Sequence, residues 1–417
     1  MSGRGPDPFD AAVTGLGMVT AAGKDVPTTW RRVLDGTPGT VGQIPQLAGL
    51  PCDFAYTIDD GEDRLDVDAL LGRSLARTME RFAQLAVIAT REALNDAGLD
   101  SADWDATRVA VVIGSSHGGL DVYDEGTRMM AAKGDRRISP MVTPLSLLNH
   151  AAASVCLDTG ARGPSMGMAA ACASGTSAIG TARLLLRAGL CDIALAGGAE
   201  SMHSRTVIGS ACRAGVLSTR RHDPATACRP FGADRDGMVT GEGAGVLVLE
   251  HPEHARARGA RVLAHVSGYG ASNDAHSPAV PHPDGTGLEQ ALRAALDDAG
   301  LVPADIDHVN AHGTATIAND AIEGATLHRV LGDRPLVTST KAATGHTLGA
   351  SGAIETALTV LSLRDQTVPP TTNLDIPDPT IEIPIQSERP HSTTLHAAAK
   401  TSLGFGGHNA ALILTAS

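Results

Sequence analysis

Aromatic side chains are scarce in this chain. They make up 2% of its 417 residues, whereas hydrophobic residues as a whole make up 42%. The core must therefore be filled by aliphatic and small side chains, which predicts close packing between helices and strands. Forty-seven glycines occur without a sustained low-complexity tract. We interpret them as tight turns and close contacts between elements, not as disorder.

Paired cysteine motifs and long apolar runs are also missing. The six cysteines are scattered without a CxxC pair, and no metal-ligand spacing with histidine stands out. This distribution predicts reduced thiols, no metal site and a cytoplasmic location. No uninterrupted apolar run approaches the length that spans a bilayer, and residues 1–8 lack the basic and then apolar layout of a signal peptide. We therefore expect no membrane association.

An excess of positive charge is absent as well, because the formal net charge is −13. Nucleic-acid phosphates require a basic face, so the charge argues against a nucleic-acid partner. The run Gly15-Leu16-Gly17 after a short predicted strand could suggest a dinucleotide loop. However, Thr20 stands where that fingerprint requires glycine or alanine, and we reject this interpretation.

A single cysteine carries the strongest chemical signal. Cys172 lies in the run AAACASG (residues 169–175), directly before a stretch with the composition of a helix, predicted over residues 173–188. Backbone N–H groups and the positive end of a helix dipole favour a thiolate, which is the nucleophilic form. Cys172 is therefore a candidate for covalent acyl catalysis. The alternative is a small buried side chain without chemistry.

Three downstream segments combine a predicted buried strand with a polar turn. The first runs from Asp305 into His312, the second from Leu336 into Lys341 and His346, and the third is residues 397–409. Strand-end loops commonly carry the catalytic groups of α/β proteins. Two series of alternating strands and helices, meeting near residues 250–259, predict an α/β fold with largely parallel strands and an internal duplication.

At this point the chain resembles a known family, the β-ketoacyl-acyl-carrier-protein synthases with a Cys-His-His site. The motifs that carry the resemblance keep one order over about 400 residues, which makes it specific, although each is weak alone. They are VTGLGMVT (13–20), RPF (229–231), DRDG (234–237), GEGAG (241–245), PPTTNL (369–374) and GFGG (404–407). The resemblance implies a thiolase-like fold of two similar halves in five α-β-α-β-α layers. We expect the halves at residues 1–255, with the nucleophile, and 256–417, with the histidines and lysine.

The resemblance also assigns the reacting groups. Cys172 would hold the growing acyl group, and His312 and His346 would be the two catalytic histidines. Lys341 matches the family's active-site lysine. Glu323 matches its acidic position and would support the site as the counter-charge of that lysine.

Further positions follow from the same motifs. The backbone amides of Cys172 and Phe405 would form the oxyanion hole. Thr314 and Thr316 resemble the hydroxyls that hold the phosphopantetheine arm. Phe405 resembles the side chain that gates the acyl pocket, with Leu403 beside it.

Three positions depart from the pattern of the family. Leu403 stands where a second phenylalanine is common, Ala342 where serine is common, and His408 where threonine is frequent. The change at Leu403 could alter the gate or the pocket volume. The acyl chain length therefore stays open.

The implied activity is decarboxylative condensation of an acyl group with malonyl-acyl-carrier protein, in fatty acid or type II polyketide synthesis. No cofactor would be tightly bound, because the carrier protein supplies the phosphopantetheine. The partners would be acyl- and malonyl-loaded carrier protein and a second subunit, in a homodimer or a heterodimer. Because carrier proteins are usually acidic, docking would need a local basic patch. The candidates are Arg73, Arg77 and Arg81; Lys133, Arg136 and Arg137; and Arg213, Arg220 and Arg221.

Alternative activities of related proteins require other residues at specific positions. A thiolase would carry a second cysteine near the C-terminus, but no cysteine follows Cys228, and a chain-initiating synthase would have asparagine at His346. A catalytically silent chain-length subunit generally lacks the nucleophile, which argues against that function here. A synthase that is active only with such a silent partner stays open.

Overall fold

The structure is a computed structural model that describes residues 9–58 and 65–417. Its strands are β1 (Ala11–Thr20), β2 (Val41–Gln43), β3 (Phe54–Tyr56), β4 (Val109–Gly114), β5 (Ser165–Met168), β6 (Ile193–Glu200), β7 (Gly243–Glu250), β8 (Ala264–Asn273), β9 (His308–Asn310), β10 (Leu336–Thr338), β11 (Thr367–Val368), β12 (His391–Ser392), β13 (Ala397–Gly404) and β14 (His408–Ala416). Its α-helices are α1 (Val26–Leu34), α2 (Val67–Leu71), α3 (Arg73–Ala76), α4 (Arg81–Ala97), α5 (Leu120–Lys133), α6 (Val142–Ser146), α7 (His150–Thr159), α8 (Ser174–Arg187), α9 (Arg205–Ala214), α10 (Pro252–Ala257), α11 (Thr286–Ala299), α12 (Ile317–Leu331), α13 (Lys341–Thr344) and α14 (Ser351–Asp365).

Ten of these strands form one hydrogen-bonded sheet with an internal repeat. Its order is β10-β9-β13-β14-β8-β1-β7-β6-β4-β5. In one half, β5, β4 and β6 are parallel while β7 and β1 follow antiparallel. The other half repeats this pattern, with β10, β9 and β13 parallel and β14 and β8 antiparallel. The halves meet where β1 pairs with β8. The same order and directions in both halves agree with the predicted internal duplication.

The prediction of largely parallel strands was wrong. Four of the nine neighbouring pairs in the large sheet are parallel and five are antiparallel. A parallel connection needs a crossover of about a dozen residues. The link from β13 to β14 is a three-residue turn, so these two strands can only form an antiparallel hairpin.

Helices form three layers around the two halves of the sheet. Helix α4 packs on β1 and β7 from outside, and α11 packs on β8 and β14. Between the halves, α8 contacts β6 and β14, and α14 contacts β7 and β13. This is the five-layer order that the family resemblance implies. Residues 351–363 of α14 are all buried, as expected for a helix enclosed by sheet on both sides.

Small residues allow the close approach of helices and strands that the composition predicts. A β-carbon at Gly17 would lie 1.8 Å from the carbonyl oxygen of Ala89 in α4. A β-carbon at Gly352 in α14 would lie 2.1 Å from the Thr176 hydroxyl in α8. The Gly15-Leu16-Gly17 run therefore serves helix–strand packing.

Residues 255 and 256, the predicted boundary between halves, both lie inside α10. The division at that position stays a prediction. Among the described residues, no helix is both long enough and apolar enough to cross a bilayer.

Candidate active site

Cys172, His312 and His346 line one cavity of about 320 Å³. The Cys172 sulfur and a ring nitrogen of each histidine all lie within 4.8 Å of one another. The sequence separates these residues by up to 174 positions, and the fold brings them together from the start of α8, the loop after β9 and the loop after α13. Thr314, Thr316, Leu403 and Phe405 line the same cavity.

A strained turn presents the cysteine. Ala171 adopts a φ of +48°, a left-handed conformation that a non-glycine residue avoids unless its surroundings impose it. Ser174 secures this turn, because its Oγ donates to the Ala171 carbonyl at 2.6 Å and accepts from the Ala170 amide at 2.9 Å. Helix α8 begins at Ser174, one residue later than predicted, so Cys172 precedes its first turn.

Burial acts against the thiolate that a position before a helix favours. Cys172 is 9% exposed. Burial raises the pKa of its thiol to about 12, and the positive charge of Lys341 offsets this only in part. The thiol form is therefore favoured over the thiolate, and any attack by this sulfur would require transfer of its proton.

The two imidazoles are held in a fixed arrangement. Their rings stand edge to face, with centroids 5.3 Å apart. Burial, followed by the charges of Lys341 and Lys400, lowers the pKa of both His312 and His346 well below the ordinary value. Both rings are therefore neutral near pH 7, when each carries one N–H donor.

Hydrogen bonds fix the ring orientations. The Lys341 ammonium approaches Nδ1 of His312 at 3.3 Å. Because an ammonium only donates, this Nδ1 accepts, and the ring proton of neutral His312 lies on Nε2. Nδ1 of His346 is 2.9 Å from the Ser351 hydroxyl, which in turn is 3.1 Å from Thr347 Oγ1.

Lys341 pairs with Glu355 of α14, so the prediction that Glu323 is its counter-charge was wrong. The Lys341 ammonium, which is 0% exposed, donates to Glu355 Oε1 and to the His312 carbonyl. Glu323 instead accepts from the backbone amides of His312 and Gly313, each at 2.7 Å, and from the Thr401 hydroxyl at 2.7 Å. It supports the loop that carries the histidine.

The amides predicted to form the oxyanion hole belong to neighbouring turns. A β-carbon at Gly404 would lie 3.2 Å from the Cys172 nitrogen and 2.6 Å from the Ala170 carbonyl, so only glycine fits. The Phe405 amide belongs to the residue directly after Gly404. Its side chain is 44% exposed at the cavity, whereas Leu403 is 7% exposed.

The predicted carrier-arm threonines lie together on the cavity wall. Their hydroxyl oxygens, Oγ1 of Thr314 and Oγ1 of Thr316, are 2.9 Å apart. The Thr314 amide donates to Asp320 of α12 at 2.9 Å, which fixes the loop.

Sequence reasoning missed Glu355, Lys400, Ser351 and Glu200. Glu200, at the end of β6, accepts from the Ser116 amide at 2.6 Å and from the Gly349 amide at 3.1 Å. A signal for the first two was present, since a charge within the apolar runs of α14 or β13 must have a buried partner. Helix α14 lies outside the motifs that identified the other residues, whereas Lys400 lies in the segment 397–409, of which only Leu403 and the GFGG turn carry a predicted role.

The docking candidates differ in how they are placed. Several have acidic neighbours, namely Arg81 with Glu242, Arg73 with Asp68, Arg220 with Asp234 and Asp236, and Arg221 with Asp53. Lys133, Arg136 and Arg137 are exposed but lie outside the residues that line the cavity. Arg213 is exposed and directly precedes Ala214, Gly215 and Val216, which line it.

Comparisons with known proteins agree with this geometry. Residues 9–255 match the family described as "Beta-ketoacyl synthase, N-terminal domain", and residues 263–375 match "Beta-ketoacyl synthase, C-terminal domain". The 3-oxoacyl-[acyl-carrier-protein] synthase 2 of Staphylococcus aureus strain N315 is 39% identical over 404 residues, covering 96% of this chain and 97% of that protein.

Two solved structures are similar along nearly the whole chain. The ishigamide ketosynthase/chain length factor has a TM-score of 0.91 at 30% identity, covering 98% of this chain and 100% of that chain. A type II polyketide synthase ketosynthase, solved in complex with its acyl-carrier protein, has a TM-score of 0.88 at 30% identity, covering 99% and 100%. The thiolase-like fold is thereby confirmed, and the chain belongs to the beta-ketoacyl synthase family.

Proposed function

We propose that this protein is a β-ketoacyl-acyl-carrier-protein synthase that condenses an acyl group held on Cys172 with malonyl-carrier protein. The product is a 3-oxoacyl-carrier protein, and CO2 is released. The observation that carries this proposal is one thiol and two imidazoles within 4.8 Å of one another in a shared cavity. Family membership and the 39% identity to a 3-oxoacyl-carrier-protein synthase support the same reaction.

The first half-reaction loads the acyl group. Cys172 Sγ attacks the carbonyl carbon of the acyl-carrier thioester while a neighbouring neutral imidazole accepts the thiol proton. The tetrahedral oxyanion is stabilised by the backbone amides of Cys172 and Phe405. The carrier thiolate then leaves and takes up a proton, so that a thioester on Cys172 remains.

The second half-reaction forms the carbon–carbon bond. The bond from the malonyl α-carbon to its carboxylate breaks, and CO2 leaves. The electron pair passes to an enolate whose oxygen accepts N–H donation from His312 and His346. The α-carbon then attacks the acyl carbon on Cys172, and the released sulfur is reprotonated. Neutral imidazoles suit this task because each presents a donor without titrating near pH 7.

The cavity also suits a substrate delivered on a flexible arm. Thr314 and Thr316 offer hydroxyls to the phosphopantetheine of a carrier protein, and Phe405 stands where it can gate the acyl pocket. The ketosynthase structure that contains an acyl-carrier protein supports this partner. No tightly bound cofactor takes part, and a cytoplasmic location belongs to the same proposal.

Two settings for this reaction have support. Identity to 3-oxoacyl-carrier-protein synthase 2 favours fatty acid synthesis without a silent partner. The similarity to a ketosynthase/chain length factor favours a polyketide ketosynthase that works with a silent partner. Assaying the purified protein alone separates them, because full turnover without a second subunit excludes the requirement for a partner.

The central test is acyl transfer to the cysteine. Mixing the purified protein with acyl-carrier protein is expected to add one acyl mass, which intact-mass spectrometry and peptide mapping locate on Cys172. Adding malonyl-carrier protein is expected to release CO2 and form the 3-oxoacyl product. Cys172→Ala should load no acyl group, whereas Cys156→Ala, a partly exposed thiol outside the cavity, should load fully. Acyl uptake by Cys172→Ala would refute the assignment of the nucleophile.

Arg213 is expected to contribute to carrier docking at the mouth of the cavity. Arg213→Glu should lower kcat/KM for acyl-carrier protein by about tenfold, because a reversed rim charge slows association with an acidic partner. With an acyl-N-acetylcysteamine thioester, which lacks the carrier, the rate should not change. Arg256→Glu is the matched control, since Arg256 is exposed on α10. Equal losses on both substrates would instead show damage to the cavity.

A further inference from the structure

Lysine is rare in this chain, and two of the four lysines lie buried behind the active site. Of the 33 basic residues four are lysines, at positions 24, 133, 341 and 400. Lys341 and Lys400 are both 0% exposed, and both contact the carboxylate of Glu355. Burying an ammonium carries a large desolvation cost unless it is paired, so two of them at one carboxylate require an explanation.

The contacts of Lys400 connect three elements of the site. Its Nζ lies 2.9 Å from Glu355 Oε2 in α14, and it also donates to the Thr401 carbonyl and to Ser402 Oγ at 3.3 Å. Ser402 Oγ is 2.8 Å from the Thr176 hydroxyl in α8, the helix that follows Cys172. Lys400 itself lies on β13, five residues before Phe405.

We propose that Lys400 is a second positioning lysine of the site, acting through Glu355 on Lys341 and on the two imidazoles. Two ammonium groups share one carboxylate, so the row Lys341–Glu355–Lys400 carries a net charge of +1. A single lysine–glutamate pair would carry none. This extra charge makes protonation of either imidazole unfavourable. His312 and His346 therefore stay in the neutral form, which donates an N–H.

Two further buried carboxylates lie near the row, and Glu323 raises the pKa of Lys400, but the charges that act on the imidazoles are those of Lys341 and Lys400. Glu323 is engaged by two backbone amides and by the Thr401 hydroxyl. Asp320 accepts from the Thr314 and Phe231 amides and lies 3.7 Å from Arg235. The charged groups that act on Lys400 are Glu355, Lys341 and Glu323, and those that act on the imidazoles are Lys341 and Lys400. Glu200 and Glu355 act on the neighbouring Cys172.

The pKa directions of the two imidazoles agree with the contacts. Burial and then the charge of Lys341 lower the pKa of both His312 and His346, and Lys400 lowers both further, with His346 also acting on His312. This inference rests on the proposed function, because neutral imidazoles matter for stabilising the enolate. The placement of the charge does not depend on the reaction.

The test removes the charge while keeping the pair Lys341–Glu355 balanced. Lys400→Met is expected to fold, since one buried ammonium and one carboxylate remain. The pH at which its decarboxylation rate falls off on the acid side should rise by at least about one pH unit. At pH 8 its rate should stay within about threefold of the parent, because both imidazoles are again neutral there. Lys24→Met, outside the cavity, should leave the profile unchanged.

A readout without turnover separates this inference from the proposed function. Diethylpyrocarbonate modifies neutral imidazole, and peptide mass spectrometry reports its reaction at His312 and His346 as a function of pH. The midpoint should rise in Lys400→Met even if the protein does not decarboxylate malonyl-carrier protein at all. Lys400→Gln keeps a donor for Ser402 and provides the same test if the methionine variant does not fold. Parental midpoints in either folded variant would overturn the proposal.

Discussion

Replacing either His312 or His346 by alanine is expected to lower malonyl decarboxylation by about 10²- to 10³-fold, the typical loss when one oxyanion donor is removed. Acyl loading of Cys172 should fall much less, by under about tenfold. The difference arises because the enolate oxygen needs both N–H donors, whereas the neutral thiol needs only one imidazole to accept its proton. Single-turnover assays of CO2 release and of acyl-enzyme mass measure the two steps separately.

His396→Ala serves as the control for this comparison. His396 is exposed and precedes β13 at the strand end opposite the GFGG turn, so both half-reactions should proceed at the parental rate. Loss of acyl loading with decarboxylation intact would contradict the roles given to the two cavity histidines. It would instead assign the variant histidine to activation of the thiol.

The residues that share the cavity could be predicted from the sequence because His312 and His346 lie in short polar turns and Cys172 directly precedes a helix. Cys172 precedes α8, and His312 follows β9, as the strand-end rule predicts. The ionisation state could not be predicted in this way. A cysteine before a helix suggests a thiolate, but whether burial outweighs the dipole depends on side chains contributed by distant segments.

The counter-charge of Lys341 shows the same limit. Glu323 belongs to a recognisable motif and Glu355 does not, yet Glu355 reaches the ammonium. In a helix that is buried on every side, apolar periodicity does not reveal which face a residue occupies. The pairing of Glu355 with both lysines arises only because α14 lies between the two halves of the sheet.

Sheet direction was the main error at the level of the fold. Alternating strands and helices predict parallel strands joined by helical crossovers. This is correct for two groups of strands, β4 with β5 and β6, and β9 with β10 and β13. The strands β1, β7, β8 and β14 at the centre of the sheet pair antiparallel. The short turn at GFGG (404–407) leaves room only for a hairpin between β13 and β14, so its length alone predicts antiparallel pairing there.

Glu355→Gln is expected to cause a large loss of stability, about 3–5 kcal/mol in the free energy of unfolding, because it leaves buried charges without their partner. The substitution keeps the shape of the side chain and removes the one carboxylate that both ammonium groups contact. Urea unfolding followed by circular dichroism measures the change. Glu253→Gln, an exposed position on α10, should stay within about 0.5 kcal/mol of the parent.

The pH dependence and a second substitution identify electrostatics as the cause. Burial already lowers the pKa of Lys400, and loss of the carboxylate lowers it further. A lysine whose pKa is lower in the folded than in the unfolded protein makes stability rise with pH, since the unfolded chain binds more protons. Glu355→Gln should therefore recover stability relative to the parent as the pH rises toward the ordinary lysine pKa of about 10.4. The double variant Glu355→Gln with Lys400→Met leaves Lys341 as the only buried ammonium of the row. It should recover part of the lost free energy of unfolding at pH 7. An equal loss at every pH, unaffected by Lys400→Met, would mean that Glu355 acts through packing and not through charge.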